Sequence, residues 1–154
     1  MTQEEKDLVL KDLCARLTNG VICSIYREDD EGFGWRDAEC KGYFQTNHSY
    51  EFYFEDVIAV DNIENIKPYL RPMSSMTNEE DEWLNDRINF SRDDEVDKIR
   101  QKWGIVMLEI YNNSGRYVFS NFTEILDWLN AHHFDYRGLI GMGLALEAPE
   151  DMYN

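Results

Sequence analysis

Apolar runs are short throughout this 154-residue chain. None approaches the roughly 18 consecutive residues that mark a membrane-spanning helix, so the sequence predicts neither a span nor a membrane partner. Cysteine is scarce: Cys14, Cys23 and Cys40 are odd in number and lack CxxC spacing, which argues against a disulfide framework. The opening "MTQEEKDLVLKDL" lacks the basic start and apolar run of a secretory signal, so the expected compartment is a reducing cytoplasm. The NxS/T triplets at Asn47, Asn112 and Asn121 then read as chance matches.

Positive charge is also short. Fifteen basic residues face 31 acidic ones, a formal net charge of −16. Such a chain repels nucleic-acid phosphates and anionic lipid, so direct nucleic-acid binding is not expected and a protein partner with a basic surface is. Catalytic signatures are missing too. There is no GxSxG elbow, and Gly138, Gly141 and Gly143 lack the GxGxxG order, the Walker lysine and a preceding strand. With 31 acids, carboxylate pairs arise by chance, so the enzyme reading has no specific residue behind it and no cofactor is expected.

What is present is a core-forming composition. Hydrophobic residues make up 43% and aromatics 14% of the chain, enough to fold despite the charge. Thr2 and Glu5 form a capping-box pattern ahead of Leu10, Leu13, Cys14 and Leu17 at helical spacing, and "TNG" closes that segment. "VICSIYR", "WRDAECKGYFQ" and "YEFYFEDVIAV" read as antiparallel strands, the last broken near Glu55 and Asp56. Pro68 and Pro72 predict a short turn and an extended crossing. Thr77 and Glu80 repeat the capping box before a helix carrying Trp83, Leu84, Arg87 and Ile88 along one face. A further helix is expected from Ser91 or Asp93 to Trp103. "GIVMLEIY" and "RYVFS" read as a hairpin, and a helix bearing Phe122, Ile125, Leu126 and Leu129 follows. Without repeats or linkers, the expectation is one α+β domain over residues 1–154, an antiparallel sheet packed with four to five helices. Its N-terminal half is compatible with a small, partly open barrel.

Two clusters invite a functional reading. His132, His133 and Asp135 are the candidate metal ligands. Adjacent histidines on a helix diverge by about 100°, however, so a role at the helix C-terminus, against its unpaired carbonyls, is favoured. Asp135 is placed to cap a short helix "YRGLIGM" stopped by a left-handed Gly143. The acidic runs are the second cluster. Glu79, Glu80, Asp81 and Glu82, with Asp93, Asp94 and Glu95, fall in the first turns of two expected helices, where they favour the macrodipole. Displayed together they would form an acidic interaction face imitating a phosphate array.

The segments "KDLCARL" (11–17), "KPYLRPMSSMT" (67–77) and "DWLNAHHFDYRGLIGMGLALEAPEDMYN" (127–154) resemble recurring segments of a family of uncharacterised small acidic proteins from gut anaerobic bacteria and their phages. The resemblance implies a cytoplasmic accessory protein on a mobile element and carries over no activity or functional residue. The leading expectation is a non-enzymatic protein-binding module. An acidic nucleic-acid mimic inhibiting a nucleic-acid-binding protein comes second, and an enzyme acting on a small molecule third.

Overall fold

Threonine and glutamate at the two predicted capping boxes start helices as expected. The computed structural model describes residues 1–29, 32–45, 50–55, 57–60, 62–87 and 122–153. They gather into two compact units, Met1–Leu70 with Leu139–Asn154, and Arg71–Gly138, each with its own apolar cluster. Three α-helices are found among the described residues: α1 (Gln3–Arg16), α2 (Asn78–Arg87) and α3 (Phe122–Ala131). The expected helix after Ser91 and the hairpin "GIVMLEIY"/"RYVFS" lie outside the described residues.

In the first unit the Thr2 side chain accepts from the Glu5 N–H at 3.2 Å, while Glu5 accepts from the Thr2 N–H at 2.7 Å. These bonds satisfy two donors that a bare helix end leaves unpaired. Helix α1 buries Val9 and Leu13 fully, with Leu10 and Leu17 only partly covered. A single 3-10 turn, Leu17–Asn19, ends on Gly20 at φ +73°, where a Cβ would also come within 3.2 Å of the Glu39 carboxylate.

The chain then forms β1 (Ile22–Asp29), β2 (Gly32–Gln45), β3 (Tyr50–Phe54), β4 (Val57–Val60), β5 (Ile66–Leu70) and the two-residue β6 (Leu146–Glu147). The sheet order is β4-β3-β2-β1-β5-β6. The first five strands pair antiparallel, and β6 runs parallel to β5 at the edge. The sheet is therefore mixed and open. It does not close into the barrel allowed for by the sequence, because β4 and β6 stand at opposite edges. The break near Glu55 is where β3 turns into β4, and a bulge between Cys40 and Gly42 shifts the β2–β3 register.

Pro68 lies in a strand, where a turn was expected. Strand β1 pairs with β5 at Ile66, Lys67 and Pro68, whereas β6 pairs only at Tyr69 and Leu70. The proline is therefore laddered on one side only, a position that tolerates its missing N–H. One face of the sheet holds the core: Cys23, Ile25, Cys40, Phe52 and Ile66 are fully buried with Val9 and Leu13 of α1. Each such apolar side chain contributes roughly 1.5–3 kcal/mol.

The short helix expected over "YRGLIGM" is instead a succession of turns. Gly138 at φ +75° and Gly143 at φ +73° both leave the right-handed region, so a helix over residues 136–142 is interrupted at Gly138. The Leu144 N–H donates to the Leu139 carbonyl at 2.9 Å, and both side chains enter the core of the first unit.

In the second unit, Thr77 caps α2: its hydroxyl accepts from the Glu80 N–H at 3.2 Å, and Glu80 accepts from the Thr77 N–H at 2.8 Å. Leu84 of α2 packs with Ile125 and Leu129 of α3, and with Phe134 and Tyr136.

Candidate functional site

The paired histidines form the end of α3. The His133 N–H donates to the Asn130 carbonyl and the Phe134 N–H to the Leu129 carbonyl, at 3.2 and 3.0 Å. His133 itself sits at φ +57°, the one non-glycine residue of positive φ among the described residues. Together these make a Schellman stop in which histidine holds the left-handed position usually given to glycine, a conformation histidine adopts more readily than most residues. The accompanying apolar contact is present as well, since Phe134 stacks on Trp128 at 5.5 Å. His132 turns the other way. Its Nδ1 lies 2.9 Å from the Trp128 carbonyl and its ring stacks on the Trp128 indole at 4.2 Å.

The sequence's metal candidates are thus spent differently. His132 covers a helix-end carbonyl, His133 is buried at the left-handed stop, and Asp135 is buried with its N–H donating to the Arg71 carbonyl. No group of three or more metal-ligating side chains comes together among the described residues.

Beside this corner, Arg71 lies over the Phe134 ring at 4.2 Å and forks onto Glu80, at 2.8 and 2.9 Å. Burial raises the Glu80 carboxyl. Hydrogen bonds from Arg71 and the Thr77 N–H, with the nearby charges of Arg71 and His132, outweigh that and hold it below its ordinary range. Glu80 therefore belongs to an ion pair with Arg71. Glu79, Asp81 and Glu82 of α2 are exposed, and Glu79 and Glu82, three residues apart, lie on the same side of the helix. Asp93, Asp94 and Glu95 lie outside the described residues.

Two features of the first unit were not anticipated. Asp12 and Arg16, one turn apart on α1, are both fully buried and joined by two hydrogen bonds of 2.8 and 2.9 Å. The i,i+4 acid–base spacing was visible, but nothing in the sequence placed it on the inward side. The cysteines are free thiols. Burial pushes Cys40 up to about 11, partly offset by a bond to the Gly42 carbonyl, and also raises Cys23 well above the ordinary thiol value. Such thiols stay protonated and unreactive near neutral pH.

The second feature is the open face of the sheet. Tyr26 pairs with Trp35 across β1 and β2, and Ile25, its buried neighbour, points to the core side. Tyr53 lies between the buried Phe52 and Phe54. Phe44 follows Tyr43, which pairs with Phe52. By the two-residue alternation of strands, Tyr26, Phe33, Trp35, Phe44 and Tyr53 therefore share the face away from the core. Their exposures are 39%, 69%, 45%, 60% and 41%. Tyr26 contacts Phe33 and Trp35 at ring separations of 6.3 and 5.4 Å, so three of these rings make one continuous patch.

Polar groups are interleaved with the rings. Asp37 follows Trp35 on the same face and accepts from the Tyr69 hydroxyl at 3.1 Å. Glu51 accepts from the Tyr53 hydroxyl at 3.3 Å. Lys67 of β5 places its ammonium 5.9 Å from the Trp35 ring centre. Burial, followed by the Glu51 charge and hydrogen bond, raises the Tyr53 hydroxyl, so it stays a neutral donor at physiological pH.

Among the described residues no helix is long and apolar enough to cross a membrane. Comparison of the chain with protein families, curated proteins and solved structures gives no match.

Proposed function

We propose that the protein is a non-enzymatic binding module that engages a protein partner through the open aromatic face of its sheet. The carrying observation is the set of five rings on that face, each 39–69% exposed. An antiparallel sheet with one solvated face normally alternates apolar inward and polar outward. Here the outward side of β1, β2 and β3 carries Tyr, Phe and Trp. Tyr26, Phe33 and Trp35 form a contiguous apolar patch of the kind that marks an interaction surface, and these residue types are enriched among the anchors that dominate binding energy.

The net charge of −16 favours a partner with a basic surface and speeds encounter with it. The reading of the molecule as a cytoplasmic accessory of a phage or mobile element rests on its segment resemblance. An acidic nucleic-acid mimic draws support from the same charge, and salt separates the two. Affinity carried by acidic side chains falls steeply as ionic strength rises, whereas affinity carried by aromatic burial changes little.

The test is a comparative pull-down with mass spectrometry from the native cell, using wild type and a Phe33→Ser/Phe44→Ser variant at low and high salt. The expected result is a partner retained by wild type at both salts and lost by the variant. A partner bound equally by both proteins, or released by salt alone, would overturn the reading.

A further inference from the structure

Exposed rings on an antiparallel sheet suit two kinds of guest, the bases of a single-stranded nucleic acid or the cationic side chains of a protein. The polar groups among the rings choose between them. Asp37 and Glu51 are carboxylates set beside the ring groups, Asp37 by Trp35 and Glu51 by Tyr53. They would face the phosphates of a bound strand and repel them, as would the whole molecule at −16. A ring face next to a carboxylate suits a cation. One already occupies such a place, for the Lys67 ammonium lies 5.9 Å from the Trp35 ring centre, inside the range in which a ring attracts a cation.

Resting on the reading of this face as the binding surface, we propose that it recognises an arginine-bearing segment of a protein partner. A guanidinium takes the place of the Lys67 ammonium at Trp35 and forks onto Asp37, and a second cation fits the Phe44, Tyr53 and Glu51 group. Arginine is favoured over lysine because its plane stacks on an aromatic ring while its edge bonds a carboxylate. Residues two apart on a strand stand about 6.5 Å from each other, a step that one guanidinium can bridge from the Trp35 ring to Asp37. The Tyr69 hydroxyl, bonded to Asp37 Oδ1, holds the carboxylate in place for this.

Full-length protein is titrated with three fluorescent peptides of equal length, alternating arginine–glycine, lysine–glycine and serine–glycine, and with a dT oligonucleotide. Binding is read by anisotropy. The arginine peptide is expected to bind several-fold tighter than the lysine peptide, and the serine peptide and dT oligomer not at all. Trp35→Ala leaves the charge unchanged and is expected to weaken arginine-peptide binding about three- to thirtyfold, with Trp35→Phe intermediate. Asp37→Asn is expected to weaken it while Asp151→Asn, which removes the same charge from the C-terminal tail, is not. Unchanged circular dichroism melts certify the fold, and Phe33→Ser, at the most exposed ring, serves as a second variant. Equal binding of the arginine and lysine peptides, indifference to Trp35→Ala and Phe33→Ser, or Trp35-dependent binding of the dT oligomer would overturn the proposal. In that event, a partner still lost from the pull-down by Phe33→Ser/Phe44→Ser would leave the face as the binding surface and remove only the arginine chemistry. A pull-down indifferent to that variant would remove both.

Discussion

Single residues far apart in sequence fix the edges of this fold. The Tyr153 hydroxyl accepts from the Ile22 N–H at 3.1 Å and donates to the Tyr69 carbonyl at 2.9 Å. The β1–β5 register, in which Cys23 faces Pro68, would next bring Ile22 opposite Tyr69. The tyrosine therefore stands in for a ladder rung at the point where β5 leaves β1. Burial pushes its own hydroxyl well above the ordinary tyrosine range. Tyr153→Phe should strand both backbone groups and cost about 1–3 kcal/mol in urea unfolding. An unchanged midpoint would show that water replaces the hydroxyl. Glu80 offers a pH test. Its carboxyl is held below the ordinary 4.5 in the folded state, so its contribution to stability is present above that value and lost as pH falls through the lowered one. Glu80→Gln should flatten this acid limb of the stability profile, and a limb of unchanged steepness would contradict the assignment.

Elements were legible in the sequence where local chemistry decides them. The capping boxes at Thr2/Glu5 and Thr77/Glu80 start helices, the chain breaks at Glu55, Gly143 is left-handed, and His132 and His133 end α3. What escaped depends on which neighbour an element meets. Pro68 sits in a strand because β1 and β6 divide the pairing of β5 between them, and no local pattern reports that. The inward stripe of α1 carries Val9, Asp12, Leu13 and Arg16, so a buried ion pair shares the face that apolar spacing assigned to Leu10 and Leu17. Asp12→Asn should cost about 3–5 kcal/mol, because it removes a charged, doubly hydrogen-bonded partner from the buried guanidinium. The double change Asp12→Leu/Arg16→Met should cost less than either single change, as read by the coupling in a double-mutant cycle. Additive losses would contradict this account of the pair.

At the scale of the whole molecule, the sheet keeps an apolar core face and also carries large rings on its other face. In β2 the rings of Phe33 and Trp35 face outward, while Gly34, Arg36 and Ala38 take the alternate side that leads to the buried Cys40. Large aromatic rings are more often buried than exposed. Only the register, with Tyr26 opposite Trp35 and Ile25 buried, reverses that. This is why the candidate face was hidden while the acidic runs and paired histidines stood out. Of the latter, Glu80 pairs with Arg71 and the histidines close a helix. Site-specific photo-crosslinking in the native cell shows whether the outward rings bind a partner. A photoreactive amino acid replaces Phe33, or, as a control, Met142, an apolar residue 49% exposed outside the sheet strands. One discrete protein adduct is expected from position 33, abolished by Trp35→Ala, and none from position 142. Adducts of equal yield from both positions, or none from position 33, would contradict it.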